Sequence, residues 1–376
     1  MLLKWIISRL DISGSNLNQF FSKVPSFYFS IPKRNSLIIF DDLNSKYIKS
    51  SIDYKQTYEI KFRNNRINLF ALLYSLIFFY KSTIKIEYIN FFLEKSKLKI
   101  LVTTNYNRLI IYQIKHYYPE VKIVVIQNGS FGEEFLLKLK NSTYRKPICD
   151  YFFNFSSLEK KKIEKKIKAK FIVLGSLKNN FYKIDNNYKE KQLLFISQYR
   201  KALINKPEFR KFYETEKILL PIILNFCKKN KLKLAILPGE ENSLSQFEHY
   251  KKILKSKNFF IYKMNLEKSY QRTDHSLFSI TVDSSLGFEA LSRSNKVGFF
   301  DFFSYNEKSF YSKQFFNKDG KFFLGFYNKH KINKILKYIY TVNNKDWKNQ
   351  NFNKMNHIIY DKNNSKLNKV IKSIIK

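Results

Sequence analysis

The chain has 376 residues, 44% of them hydrophobic and 18% aromatic, which exceeds one typical core, fits two domains of ordinary size and excludes a disordered chain. Its formal net charge of +39, from 69 Lys and Arg against 30 Asp and Glu, favours anionic partners. The excess is mostly Lys in a chain also crowded with Asn, Ile, Phe and Tyr, all residues of AT-rich codons, so codon bias explains much of it. One Lys cluster stands out, Lys160–Lys162 with Lys165, Lys166 and Lys168. Glu159 and Glu164 interrupt it at helical spacing, which reads as a solvated helix face. No zinc-finger spacing or aromatic RNA-binding signature accompanies the charge, so nucleic acid is not the expected partner. A nucleic-acid-binding protein stays as the reading from a different class; it requires a continuous positive stripe and steeply salt-dependent binding.

In chain order, Met1–Leu10 is too short for a secretory signal, and Ser36–Asp41 is a first strand. Ile67–Tyr80 is the most apolar run, below the ~20 residues that span a bilayer. It reads as a buried core helix, or as an aromatic surface resting on a membrane, since Lys61, Arg63 and Arg66 precede it and Lys81 follows. A polar helix over Ile84–Lys95 leads to a strand at Lys99–Thr104, a helix at Tyr106–Tyr118 and a strand at Val121–Gln127. Tyr151–Phe155 and Phe171–Leu174 are further strands, with the charged helix over 156–169 between them. Lys178–Lys191, polar and poor in apolar residues, is the candidate linker.

The alternation then restarts with a strand at Gln192–Ser197, a long helix over Glu208–Asn230 interrupted at Pro221, and a strand at Lys233–Leu237. A helix over Ser243–Lys255, strands at Phe259–Tyr262 and Leu277–Val282, a short helix and a strand at Lys296–Phe300 follow. Tail helices fall near His330–Tyr340 and Leu367–Ile375. Nearly all-apolar strands alternating with helices specify parallel sheets covered on both faces. The expected fold is α/β, with two Rossmann-like parallel-sheet domains facing across a cleft. An N-terminal acceptor domain covers 1–177, a C-terminal donor domain 192–330, and helices over 331–376 pack near the junction.

The most informative segment is Thr281–Phe300. Asp283, Ser284 and Ser285 are good N-cap residues between a buried strand and a helix, at the carboxyl edge of a parallel sheet. Free backbone N–H groups, hydroxyls and a helix dipole there receive a phosphate or diphosphate, and an ordinary capped turn is the plain alternative. Gln127-Asn128-Gly129-Ser130 ends a strand of the first half, where Gly129 permits positive φ and the amides can bond sugar hydroxyls. Glu133 and Glu134 follow within reach of a base's task, with Asp41 and Asp42 as competitors. Gly239 and Glu240 form another strand-end turn, Ser197 closes the first strand of the second half, and Arg200 follows it. Glu289, one turn past Ser285, either reaches a ligand hydroxyl or caps its own helix. The five His and the separated Cys149 and Cys227 stand in no metal or redox motif, so no metal site is expected. No G-x-S-x-G elbow, Walker loop or complete G-x-G-x-x-G is present.

The segment from Asp283 to Leu291, followed by Lys296-Val297, resembles the donor-binding element of GT-B glycosyltransferases of bacterial surface polysaccharide synthesis, including capsule and O-antigen enzymes. Val125–Ser130, Leu174–Asn180 and Ile196–Arg200 look like pieces of the same O-antigen biosynthesis family. The resemblance implies transfer of a sugar from a nucleotide donor to a surface glycan or lipid-linked acceptor, without an obligatory metal or other cofactor. It places Ser284, Ser285, Gly287 and Arg200 at the diphosphate, and Glu289, Gly239, Glu240 and Ser197 near nucleoside or sugar. Gln127, Asn128, Gly129 and Ser130 then lie at the acceptor loop, with Glu133, Glu134 or Asp41 as base. A polyol-phosphate transferase and a nucleotide-sugar 2-epimerase share this architecture and remain alternatives. The expected workplace is the cytoplasm, with peripheral contact to the inner membrane face.

Overall fold

The computed structural model describes residues 26–40, 44–61, 66–129, 131, 133–140, 146–185, 188–240, 243–263, 265–303, 320–355 and 358–376. The chain forms two compact units, Met1–Phe181 with Asp361–Lys376, and Tyr182–Tyr360.

The first unit contains β1 (Ser26–Tyr28), β2 (Leu37–Ile39), β3 (Thr57–Glu59), β4 (Arg66–Asn68), β5 (Ile100–Thr103), β6 (Lys122–Ile126), β7 (Ile148–Asn154) and β8 (Lys168–Val173). Six of them make a parallel sheet in the order β3-β2-β5-β6-β7-β8, and β1 pairs with β4 alone. The chain starts at β2, steps to β3, then returns past β2 to β5, so its direction reverses between β2 and β5. Residues of β2 and β5 are fully buried, as continuous apolar strands must be when helices cover both faces.

Two helices of this unit depart from expectation. Leu69–Phe78 is not a buried core helix: only Ala71, Leu72 and Ser75 are buried, and Phe70, Leu73 and Ile77 face outward. The polar-looking helix Ile84–Ser96 is the buried one, and even Glu87 is enclosed, accepting hydrogen bonds from Ser82 and Tyr118. Both hydroxyls bond Oε1, while Oε2 is buried without a hydrogen-bond partner among the described residues. The unit is completed by the C-terminal segment. Asn364 donates to Ser51 (2.8 Å) and to the Leu177 carbonyl (3.0 Å) and accepts from Asn180 (2.9 Å), while helix Ser365–Ile375 buries Leu367 and Ile371.

The second unit holds β9 (Glu190–Ile196), β10 (Lys233–Leu237), β11 (Phe260–Ile261), β12 (Ser276–Thr281), β13 (Val297–Phe300) and β14 (Phe323–Leu324). Their order is β11-β10-β9-β12-β13-β14, all parallel. The chain leaves β9 toward β10 and β11, then crosses back to β12, which makes β9/β12 the switch point. Helix Pro207–Lys229 runs unbroken across Pro221, contrary to the expected interruption. A proline removes one helical hydrogen bond, and here burial of Leu219, Leu220 and Ile223 on the same helix outweighs that loss. Arg293 and Asp274, both fully buried, form a two-pronged pair at 2.9 and 2.5 Å. Arg293 also donates to the Tyr182 and Lys183 carbonyls, fixing the first residues of the unit to its interior.

Candidate functional site

In open α/β sheets the chain diverges to opposite sides at a switch point, leaving a crevice beyond the carboxyl ends of the two strands. In the second unit those ends are Ile196 and Thr281, which lie opposite each other in register. Their loops are tied together. Thr281 Oγ1 donates to the Ile196 carbonyl (3.0 Å), and the Asp283 N–H donates to Gln198 Oε1 (2.8 Å). The β10 loop joins them. A Cβ built on Gly239 would lie 2.8 Å from the Tyr199 carbonyl, and the Lys201 N–H donates to Glu240 Oε1 (3.0 Å). The structure thus gathers Ser197, Arg200, Gly239, Glu240, Ser284 and Ser285 on three adjoining loops of one sheet edge.

Ser284 is the N-cap of helix Ser285–Ser292, with extended backbone, yet its side chain makes no capping hydrogen bond. Ser284 is half-buried and Ser285 exposed, as is Arg200 at the end of the β9 loop. The helix therefore starts beside the Ser284 and Ser285 hydroxyls, at the same sheet edge as the β9 loop that carries Arg200.

Other expected ligand residues are occupied by the fold. Ser197 Oγ donates to the Glu216 carboxylate (3.1 Å) and accepts from Tyr250 Oη and the Tyr199 N–H (2.9 Å), which uses its full bonding capacity. It positions the β9 loop. Gly287 N–H bonds the Ser284 carbonyl (2.9 Å), and a Cβ there would sit 2.6 Å from Thr281 Cγ2. This glycine lets the helix pack on β12. Glu289 is buried and accepts from Tyr270 Oη (2.8 Å).

Sequence reasoning passed over Glu216, fully buried beneath the β9 loop. It accepts from Ser197 and from the Gln198 N–H (2.8 Å), and burial pushes its pKa up to about 7. The signal was present: an acid interrupts the apolar stripe Phe212, Tyr213, Leu219, Leu220, Ile223 at helical spacing. His249 stacks on Tyr199 with centroids 3.6 Å apart, and burial with nearby Lys217 and Lys252 lowers its pKa to about 4.

The strand-end turn of the first unit is equally preorganised. Gln127, fully buried, donates to the Gly129 carbonyl (2.6 Å) and Glu159 Oε2 (2.9 Å) and accepts from the Phe155 N–H (3.0 Å). Its amide shapes the loop. Glu159, expected on a solvated face, is fully buried, bonds the Phe131 N–H (2.9 Å) and pairs with Lys162. Gly129 has φ of 109°, and with Asn128 it stays partly exposed. Asp41, Asp42 and Ser130 lie outside the described residues, as do the side chains of Glu133 and Glu134. Among the described residues no three His, Cys, Asp or Glu side chains converge as a metal site.

A family model described as "putative O-antigen biosynthesis protein" matches residues 124–375. No curated protein sequence matches the chain. Among solved structures, a Listeria monocytogenes protein described as a putative UDP-N-acetylglucosamine 2-epimerase has 12% identity and a TM-score of 0.56, covering 92% of this chain and 96% of its own. The UDP-GlcNAc 2-epimerase of Methanocaldococcus jannaschii has 14% identity and a TM-score of 0.50 over 90% of this chain and 99% of its own. The pneumococcal O-GlcNAc transferase GtfA has 12% identity and a TM-score of 0.46 over 77% of this chain. The chain spans 60% of that transferase's length and 58% of the similarly placed TarM. The likenesses with the two epimerase structures establish a shared fold.

Proposed function

The chain belongs to the family of O-antigen biosynthesis proteins, and from that premise we propose that it is a glycosyltransferase using a nucleotide-activated sugar. The acceptor in this reading is a surface polysaccharide or a lipid-linked glycan. The observation that carries it is the helix start at Ser284–Ser285, uncapped by its own side chain at the β9/β12 switch point.

In the transfer an acceptor hydroxyl attacks the anomeric carbon, the bond from that carbon to the β-phosphate oxygen breaks, and the nucleoside diphosphate leaves with the electron pair. Negative charge therefore grows on the diphosphate, where N–H groups of the first helical turn, the Ser284 and Ser285 hydroxyls and Arg200 are assigned to meet it. Glu240 is assigned to the donor side beside Lys201. The acceptor proton goes to a carboxylate, for which Glu133, Glu134 and Asp41 are the candidates, and Asn128 and Gly129 form the acceptor-side turn. Neither metal nor other cofactor has a part in this scheme. A cytoplasmic workplace with peripheral contact to the inner membrane belongs to the same reading, and nucleic acid does not.

Two structures described as UDP-GlcNAc 2-epimerases align over at least 90% of this chain and 96% of their own, which favours epimerisation as the second reading. A polyol-phosphate transferase is the further alternative of the same fold. Thermal-shift measurements against UDP-, GDP-, CDP- and CMP-linked sugars test the site. A cognate ligand at ~100 times its dissociation constant stabilises by ~2.7 kcal/mol. Ser284→Ala/Ser285→Ala should lose that shift with unchanged ligand-free stability; an intact shift overturns the phosphate assignment. Conversion of the cognate sugar to an isomer without acceptor would replace transfer by epimerisation.

A further inference from the structure

The first unit carries an apolar surface that its own fold leaves open. Along helix Leu69–Phe78, Phe70, Leu73 and Ile77 share one face by their i, i+3, i+7 spacing, and are 41%, 51% and 64% exposed. Phe79 and Tyr80 continue the surface at 54% and 71%. The adjoining β1 region adds Phe27, Phe29 and Ile31 at alternate positions, all exposed. The two parts are one patch, because β1 pairs with β4 at the foot of the helix and the Phe29 and Phe70 rings meet edge to face at 5.7 Å. Eight large apolar side chains gathered this way exceed the scattered exposure normal for a soluble surface.

Charge identifies what covers it. Between residues 26 and 40, and between 66 and 86, the sequence has no Asp or Glu, while Lys33, Arg34, Arg66 and Lys81 are all exposed. A second copy docking face to face would set these cations against their own kind. An anionic bilayer satisfies both features at once, since rings enter the acyl boundary while cations meet lipid phosphates. Among the described residues no single helix is long and apolar enough to cross the bilayer, although Leu69–Lys81 and Ile84–Ser96 together, bent by 116°, reach that length and composition. The neighbouring helix Ile84–Ser96 is spent on the core.

We propose that Phe27, Phe29, Phe70, Leu73, Ile77 and Phe79, rimmed by Lys33, Arg34, Arg66 and Lys81, seat the protein on an anionic phospholipid surface. This deepens the peripheral-contact part of the proposed function by naming the face and the lipid charge, and it stands independently of the donor chemistry.

The test is flotation of the full chain with vesicles of phosphatidylglycerol and phosphatidylethanolamine, compared with neutral phosphatidylcholine vesicles. The expected result is binding to the anionic vesicles, reduced at least about tenfold by Phe70→Ser/Ile77→Ser/Phe79→Ser. Lys33→Gln/Arg34→Gln/Lys81→Gln should weaken it and flatten its salt dependence. Circular dichroism and the nucleotide thermal shift are read on every variant, so that lost folding or lost donor binding is separated from lost docking. Equal binding of wild type and the Ser variant overturns the proposal, as does absence of binding to anionic vesicles. Concentration-dependent self-association that the Ser variant abolishes would instead assign the face to a second copy and overturn it too.

Discussion

Gly287 illustrates how one residue is read differently in one dimension and in three. In sequence, a glycine at the start of a helix invites close approach of a phosphate. In the fold, its missing side chain makes room for Thr281 Cγ2 at 2.6 Å and Phe299 Cε1 at 3.2 Å from where a Cβ would stand. Thr281 cannot swing away, because its hydroxyl donates to the Ile196 carbonyl. Gly287→Ala gains roughly 1 kcal/mol of helix propensity and incurs about 1–3 kcal/mol of overpacking. The expected outcome is a net loss of up to about 2 kcal/mol in urea unfolding, and a gain in stability would contradict the packing role. Ser284 is the opposite case: it is the N-cap residue, yet its side chain makes no capping hydrogen bond.

At the scale of the element, helix Pro207–Lys229 carries Glu216 into the interior beneath the β9 loop. An unfolded Glu titrates near 4.5, and burial raises this one to about 7. Between those values the folded state holds the proton that the unfolded state has released, so stability falls as pH rises through the window. The loss amounts to about 3 kcal/mol once Glu216 is ionised. Glu216→Gln keeps a group that accepts from the Gln198 N–H and Ser197 without the ionisation. The variant should therefore be more stable than wild type at pH 8, with the difference shrinking toward pH 4.5. Denaturant unfolding at several pH values checks this, and a difference independent of pH would remove the titration from the account. His249 works in the opposite direction, and comparing wild type with the single variant cancels its contribution.

For the whole molecule, the chain closes its first unit with its last residues. Asn364 bridges Ser51, the Leu177 carbonyl and Asn180, and Leu367 and Ile371 are buried. Removing 361–376 takes these partners from the first unit and none from the second-unit sheet. Hydrogen exchange on the truncated chain should show faster exchange across 45–51 and 177–181, with β9 and β12 protected as before. Equal loss in both units would contradict the division at Phe181–Tyr182 and Tyr360–Asp361.

Much of the architecture was legible in one dimension. Runs such as Leu37–Ile39, Ile100–Thr103 and Leu193–Ile196 are apolar without alternation, and only strands covered on both faces tolerate that. The turn at Ser284–Ser285 was legible as well, because capping is a local property of a few consecutive residues. The two-residue strand β14 carries too little pattern to be read from spacing and was missed, whereas β11 lies inside the strand read at Phe259–Tyr262. The sequence by itself thus determined two parallel α/β sheets and the strand–turn–helix unit at Ser284–Ser285. Tertiary structure alone decided which polar groups remain open there. Ser197 is saturated by Glu216 and Tyr250, 19 and 53 residues away, and Gln127 by Phe155 and Glu159, 28 and 32 away. A hydrogen bond occupies its donor and acceptor in space, and partners that distant in sequence meet only once the sheets have formed.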